Sequence, residues 1–451
     1  MERRALALRE MIKKHRPKTE NLDPRKWMRQ ETVRGFADFI LNKDSDKETD
    51  NSFDNKEMLL DAEKQFMEAA KSNDVETMKT LGKGLNINAK NVDNRTALHY
   101  AVAGKNKEAV QLLLQRRVKV DQKDKYGVAP IHLAAWFGSL EILKLLVQAG
   151  AEQKVENTRG ETPLHLAARN GHLDAVQSLL QSFDTQDEVN MDGETALYQA
   201  ADNGQEACVL TLLEAGCDPN ILTTHLEAPI HLAVKNSHIP VIHSLLKAGC
   251  NINVTDKRSQ TAIHLAAELA RIDVVEMLLK SGLDLTLRDR QGKTALGVAV
   301  RADEVIIVDM IIKAERYYAW RKANTEPNES VHSEYALTFK LDHRYENKQL
   351  RSMAWRLAYE LLKPGDWKRL AEHWGFTKEQ VSAIEEQWTG QHSYQEHGNR
   401  MLLIWLHGEE LAQKSLAKEL YEGLILTGNR KAADKIRMEA ESSSSKSCSI
   451  S

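Results

Sequence analysis

Thr162-Pro163-Leu164-His165-Leu166-Ala167-Ala168 is one copy of a phrase that returns every 33 residues. It reads Thr-Ala-Leu-His from Thr96, Ala-Pro-Ile-His from Ala129, Thr-Ala-Leu-Tyr from Thr195, Ala-Pro-Ile-His from Ala228, Thr-Ala-Ile-His from Thr261 and Thr-Ala-Leu-Gly from Thr294, without a slip of register. Gly127, Gly160, Gly193 and Gly292 stand two residues upstream, and Gly150, Gly216, Gly249 and Gly282 form a second series on the same period. The Thr lies where a helix starts, so its hydroxyl is expected to take an unpaired amide. Pro130, Pro163 and Pro229 follow in a first turn that needs no amide donor. Small residues such as Ala134, Ala135, Ala167, Ala168, Ala200, Ala201, Ala266 and Ala267 let neighbouring helices approach closely. A second helix carries Leu145-Leu146, Leu179-Leu180, Leu212-Leu213, Leu245-Leu246 and Leu278-Leu279, and the following Gly ends it in a left-handed conformation. One such unit cannot bury its apolar face alone; stacking creates the core.

Self-similarity at this period, and the phrase at Thr162 to Ala168 in particular, resemble the ankyrin family, each unit being a β-turn and two helices. The expected fold is all-α: a solenoid of about eight repeats over 58–320, helix-turn-helix plus β-hairpin units, followed by a six-helix bundle. The first unit, from about Ala62 to Asp93, lacks the phrase, as a terminal repeat with one face in water should. The last begins near Gly292, and its second helix is expected from Val305 to about Tyr318. There Tyr317, Tyr318 and Trp320 are placed to cover the end of the stack.

Residues 1–57 form an extension: a basic start (Arg3, Arg4, Arg9, Lys13, Lys14, Arg16, Lys18), an apolar helical face (Trp27, Met28, Val33, Phe36, Phe39, Ile40) and an acidic linker through Asp54. Residues 321–343, with Pro327 and Asn328, read as a second linker. Beyond it, 344–438 reads as short helices: Leu350 to Leu362, one capped by Asp366, one capped by Thr377 with Val381 and Ile384 buried, then three around Trp405, Leu420 and Ala433. Trp367-Lys368-Arg369-Leu370-Ala371, Trp374-Gly375-Phe376, Ile384-Glu385, Leu402-Leu403, Trp405, Leu416 and Leu420 resemble a death domain. That resemblance implies a core of Trp367, Leu370, Ala371, Ile384, Leu403, Trp405 and Leu420. Trp374 departs from the small aliphatic residue usual in that family, so no partner surface is carried over from other members. Repeats followed directly by this bundle resemble the ankyrin repeat and death domain-containing protein 1 group.

The chain has 451 residues, a formal net charge of −3 and 6% aromatics, so no global field points to nucleic acid. It has no apolar run of about 18 residues to span a membrane and no secretory signal. Cys208, Cys217, Cys250 and Cys448 form no Cys-x-x-Cys pair. His99, His132, His165, His231 and His264 recur with the repeat, but Tyr198 and Gly297 stand in the same column, which a ligand set does not tolerate. They are expected to hydrogen-bond within the turn. No phosphate loop, metalloprotease helix or nucleophile elbow occurs, so neither enzyme activity nor a cofactor or metal is expected.

The residues that the repeat does not dictate carry the functional reading. Tyr126, Trp136, Phe137, Arg169, Asp202, Lys235, Lys257, Arg258, Arg290 and Arg301 are expected on the concave face that, by resemblance, binds a protein partner. The face becomes basic toward the last repeats and suits an acidic peptide. The expected function is a cytoplasmic adaptor whose death domain joins homotypic assemblies; the competing reading is a scaffold whose bundle is structural only. Asn220 and Asn253 resemble sites of asparagine β-hydroxylation in ankyrin proteins. Cys448-Ser449-Ile450-Ser451 fits a prenylation pattern, so partial membrane association through a lipid on Cys448 is expected.

Overall fold

The computed structural model describes residues 59–81, 84–181, 186–324, 337–340, 346–411 and 416–447. The extension 1–57 and the prenylation-like Cys448 lie outside them. The fold is helical, with no strand among the described residues, and the chain forms two compact units, residues 1–183 and 184–451.

In the first unit the helices come in pairs: α1 (Asp61–Ser72) with α2 (Val75–Leu81), α3 (Ala97–Ala103) with α4 (Lys107–Gln115), α5 (Pro130–Trp136) with α6 (Leu140–Gln148), and α7 (Pro163–Arg169) with α8 (Leu173–Leu180). α1, α3, α5 and α7 pack in sequence, as do α2, α4, α6 and α8. Leu113, Leu143, Leu146, Leu179 and the alanines of α5 and α7 fill the space between them, fully buried. Of each Leu-Leu pair here, Leu146 and Leu179 are buried while Leu145 and Leu180 stay half-exposed. The expected β-hairpin is a tight turn. Asp124 N–H donates to the Val128 carbonyl (3.0 Å), and a single main-chain bond, Lys125 N–H to the Asp93 carbonyl (2.9 Å), joins it to the preceding turn. One bond per turn cannot make a ladder. Gly127 sits here at φ 72°, and a Cβ on it would lie 2.7 Å from the Thr158 nitrogen of the next turn.

The helix starts add a partner that the Thr alone did not suggest. Where the phrase contains His, the imidazole accepts from the backbone N–H of the cap residue. Thr96 N–H donates to His99 Nδ1 (3.1 Å), and His99 Nε2–H donates to the Val128 carbonyl of the next repeat (3.0 Å). Ala129 and His132 repeat the arrangement, with Nε2–H on the Glu161 carbonyl (3.0 Å). Accepting at Nδ1 and donating at Nε2 fixes one neutral tautomer. Where the His is absent, Thr caps through its own hydroxyl: Thr195 accepts from Tyr198 N–H (3.1 Å) and Thr294 from Gly297 N–H (3.3 Å).

In the second unit, α9 (Ala196–Asp202) and α10 (Glu206–Glu214), α11 (Pro229–Lys235) and α12 (Ile239–Lys247), α13 (Ala262–Glu268) and α14 (Ile272–Lys280), and α15 (Ala295–Arg301) and α16 (Val305–Asn324) continue the pattern. His231 and His264 bridge to the Val254 and Lys293 carbonyls at 3.1 and 3.2 Å. α16 runs on to Asn324 instead of stopping near Tyr318, so the expected linker 321–343 begins as helix. It also holds an anchor: Phe339 is fully buried, its ring 5.9 Å from those of Tyr317 and His407, and its N–H donates to the Glu276 carboxylate (3.1 Å). Burial of that ring, not sequence pattern, ties the segment down.

The bundle consists of α17 (Glu346–Arg356), which runs into a π turn at Leu357–Leu361, then α18 (Asp366–His373), α19 (Lys378–Glu386), α20 (Ser393–Leu411), α21 (Leu416–Leu426) and α22 (Arg430–Ser447). Thr377 Oγ1 accepts from Gln380 N–H while Gln380 Oε1 accepts from Thr377 N–H, a reciprocal cap. Asp366 is the first helical residue, not the cap; its carboxylate accepts from Lys363 N–H (2.9 Å). Trp367, Leu370, Ala371, Ile384, Trp405 and Leu420 are core, as expected. Leu403 and Val381 are not: both are half-buried. Leu403 shares a half-buried stripe with Asn399 and His407, while Met401, Leu402, Ile404 and Trp405 point inward. Trp374 stacks on Trp405 (4.2 Å, 16°), and Gly423 of α21 leaves room for its ring.

Candidate protein-interaction surfaces

The residue before the phrase and the residue eight positions later form a recurring pair across the turn. In the first unit this pair is Glu161 and Arg169. Arg169 Nη2 donates to Glu161 Oε1, which Arg159 Nη1 also approaches (3.2 Å), and Asn157 donates to Oε2 (2.9 Å). Burial would raise the Glu161 carboxyl, but the two guanidiniums and Asn157 outweigh it and hold it at about 2. Arg169 is therefore committed internally. Tyr126, Trp136 and Phe137 are half-buried, with the Lys125 ammonium 5.0 Å from the Tyr126 ring centroid. The Trp136 and Phe137 carbonyls accept from His172 Nε2–H and Lys105 Nζ.

In the second unit the pair recurs as Glu227 with Lys235 and changes partners at Gln260 and Glu268 (3.1 Å). Burial raises the Glu227 carboxyl, but bonds from Lys235 and Tyr198 leave it lowered overall. The Asp202 carbonyl and carboxylate accept from Asn236 (2.8 and 3.0 Å). In the last repeat both positions are cationic, Lys293 and Arg301. Arg301, lacking its carboxylate, turns to Gln291 Oε1 and to Glu268 at 3.9 Å. Arg258, Arg290 and Arg301 line one cleft of about 280 Å³, with Gln260, Glu268, Asp289 and Gln291. Lys257, Arg258 and Arg290 are exposed, and the ion pairs among the described residues do not include them. The fold thus gathers Arg258, Arg290 and Arg301 and sets Arg169 and Lys235 aside in structural pairs. The pair rule was legible at 161/169 and 227/235, but its reading required knowing that the two positions meet.

Asn220 Oδ1 accepts from Asn251 N–H (2.7 Å) and Asn253 Oδ1 from Asp284 N–H (2.9 Å). Asn88 and Asp121 do the same for Lys119 and Glu152. The column needs an acceptor that links repeats, and Asp serves as well as Asn. Cys208, Cys217 and Cys250 are free, and burial pushes their thiols up to about 11, 12 and 11. No described helix is long and apolar enough to cross a membrane.

A further surface is internal to the second unit. Asp309 of α16 pairs with Arg400 of α20: Oδ1 accepts from Nε (3.1 Å) and Nη2 (2.6 Å). Arg316 donates through both Nη atoms to the Trp374 carbonyl (3.1 Å) and lies 4.0 Å from the Phe376 ring centroid. Gln380 donates to Glu315 (2.8 Å), and His407 Nε2–H to the Thr338 carbonyl (2.6 Å).

Two family profiles match the chain. One described as ankyrin repeats, in three copies, covers residues 66–157, 150–223 and 230–319; one described as the death domain covers 355–440. Among curated proteins, serine/threonine-protein kinase 12 of Arabidopsis thaliana is 39% identical over 72 residues, 16% of each chain. The chain therefore spans about a sixth of that relative's length. Among solved structures, the ankyrin repeat domain of Bcl-3 is 29% identical, covering 49% of this chain and 99% of that one, with a TM-score of 0.44. The human ASB11 ankyrin repeat domain is 27% identical, with coverages of 45% and 90% and a TM-score of 0.41.

Proposed function

Since the chain belongs to the ankyrin-repeat family and carries a C-terminal death domain, both of them protein-interaction modules, we propose that it is a non-enzymatic cytoplasmic signalling adaptor. The repeat array holds one protein partner on its turn-side, concave face, and the death domain makes homotypic contacts with other death-fold proteins. The observation that carries this reading is the cleft lined by Arg258, Arg290 and Arg301, in which Arg301 has Lys293 where the earlier pairs place a carboxylate, Glu161 or Glu227. Such a cluster is matched by an acidic peptide and sets association rate and selectivity more than raw affinity. Trp136 and Phe137, half-buried at the end of α5, are the aromatic anchors in the first unit.

The test is quantitative capture from cells by the full chain. Arg258→Glu with Arg290→Glu should remove one set of partners and leave those dependent on the bundle; Trp136→Ala with Phe137→Ala should weaken the first set without lowering the melting temperature. Identical captured sets for all variants would refute the adaptor reading. The second reading, a scaffold whose bundle is structural only, is favoured by the polar contacts of α16 with α19 and α20.

A further inference from the structure

The contact between the last repeat and the bundle differs from the packing inside either. Within the repeats the space between helices is filled by aliphatic and alanine side chains at or near full burial. Between α16 and the bundle, beside the buried Phe339 ring, the specific contacts include an ion pair, Asp309–Arg400, an amide–carboxylate pair, Gln380–Glu315, and a guanidinium, Arg316, on the Trp374 carbonyl and over the Phe376 ring. At the rim Arg288 reaches Glu379 (3.1 Å) with both side chains exposed. A cleft of about 440 Å³ remains between α15 and α19, lined by Gly297, Val300, Lys378, Ser382 and Ala383. Gly297 stands where earlier repeats carry the bridging His, so this repeat sends no imidazole to its neighbour. The contact thus joins one buried aromatic anchor to polar pairs and an open rim; polar contacts inside a chain resemble transient interfaces, for which relative motion is the default expectation.

The groups involved also tolerate separation unequally. Arg400 is nearly fully buried, and its Nη1 has no hydrogen-bond partner among the described residues. Asp309 is held in a site whose burial raises its carboxyl despite the neighbouring Arg400. Removing one partner of a buried ion pair is costly because the other charge stays behind unpaired, whereas solvating both together recovers their hydration. Opening as a body is therefore favoured over local loss of the pair.

We propose that α16 and the Phe339 segment hold the α19–α20 face of the bundle in a releasable clasp, so that this face is closed while the clasp is shut and becomes a docking surface when it opens. A partner that keeps it open must supply what α16 supplies: carboxylates placed for Arg400 and Gln380. The inference rests on reading the bundle as an interaction module, but its test requires no partner.

The experiment is hydrogen exchange on the full chain with a charge-swap cycle. Asp309→Arg and Arg400→Asp should each speed amide exchange in α16 and α19 by at least about tenfold, while α17 and α22 stay protected. The double variant, Asp309→Arg with Arg400→Asp, should return α19 to near-native protection. Asp309→Asn, which keeps the volume and introduces no repulsion, should move exchange in the same direction by less. Unchanged α19 protection in all three single variants would overturn the proposal. So would loss of protection across α17 and α22 as well, because the contact would then be part of the bundle's own fold.

Discussion

Acidification should unfold the repeat array through its histidine bridges before its carboxylates are involved. His99 and His132 are fully buried and neutral, and burial pushes each from its ordinary 6.5 down to about 4, against the bond to the next repeat's carbonyl. Above pH 6.5 both folded and unfolded imidazoles are neutral, so no stability difference arises. As pH falls below 6.5 the unfolded chain takes up protons and the native chain does not, so stability drops until about pH 4, where the native rings protonate too. At 1.36 kcal/mol per pH unit the loss is about 3 kcal/mol for each histidine, a large share of the stability of an ordinary domain. Burial of His231 and His264 lowers both in the same direction. Glu161, held at about 2, keeps its contribution above pH 4.5 and loses it progressively between 4.5 and 2, so most of its loss follows that of the histidines. Urea unfolding of the full chain at steps between pH 7 and 4.5 measures the slope. His132→Gln should lower stability at pH 7 and reduce the slope by about 1.4 kcal/mol per pH unit. A stability flat across this window, or a slope untouched by His132→Gln, would refute the reasoning.

Gly423→Ala is the second case. Helix propensity alone predicts a gain of about 0.5–1 kcal/mol, but the new Cβ would lie 2.8 Å from the Trp374 ring, which Trp405 backs. A net loss of about 1–3 kcal/mol should follow; a raised melting temperature would show that the tryptophan pair yields. For Asn220, which is exposed, and Asn253, half-buried, peptide mass spectrometry of protein from cells should find an added oxygen first on Asn220. No added mass on either ends that proposal. The native chain should partition partly with membranes, as one lipid chain gives marginal attachment, and Cys448→Ser should abolish this. An unmodified C-terminus retaining Ser451 would contradict it.

The sequence alone determined the repeat, its register, the helix pairs and the bundle, because these depend on local rules that recur in the chain. Pro163 in a first turn, Gly150 after a second helix and the Thr377 cap each work within a few residues. It also pointed, through Tyr198 and Gly297, to a structural role for the histidine column, and both nitrogens of His99 and His132 bond to backbone groups. What it did not reveal depends on atoms far apart in sequence. His99 accepts from Thr96 N–H while its other nitrogen reaches the Val128 carbonyl of the next repeat. Trp374, odd against its family, is accommodated because Gly423 lies beneath it. Arg169 and Arg301 occupy the same column, yet one is neutralised by Glu161 and the other faces Lys293 in that place. Phe339 sits in a stretch that reads as linker, and its burial is decided by Tyr317, Tyr318 and His407. Periodicity records what each repeat needs from itself. Only the tertiary structure decides which neighbour supplies the remaining hydrogen bond, charge or empty space, because those partners are fixed by packing and not by spacing along the chain.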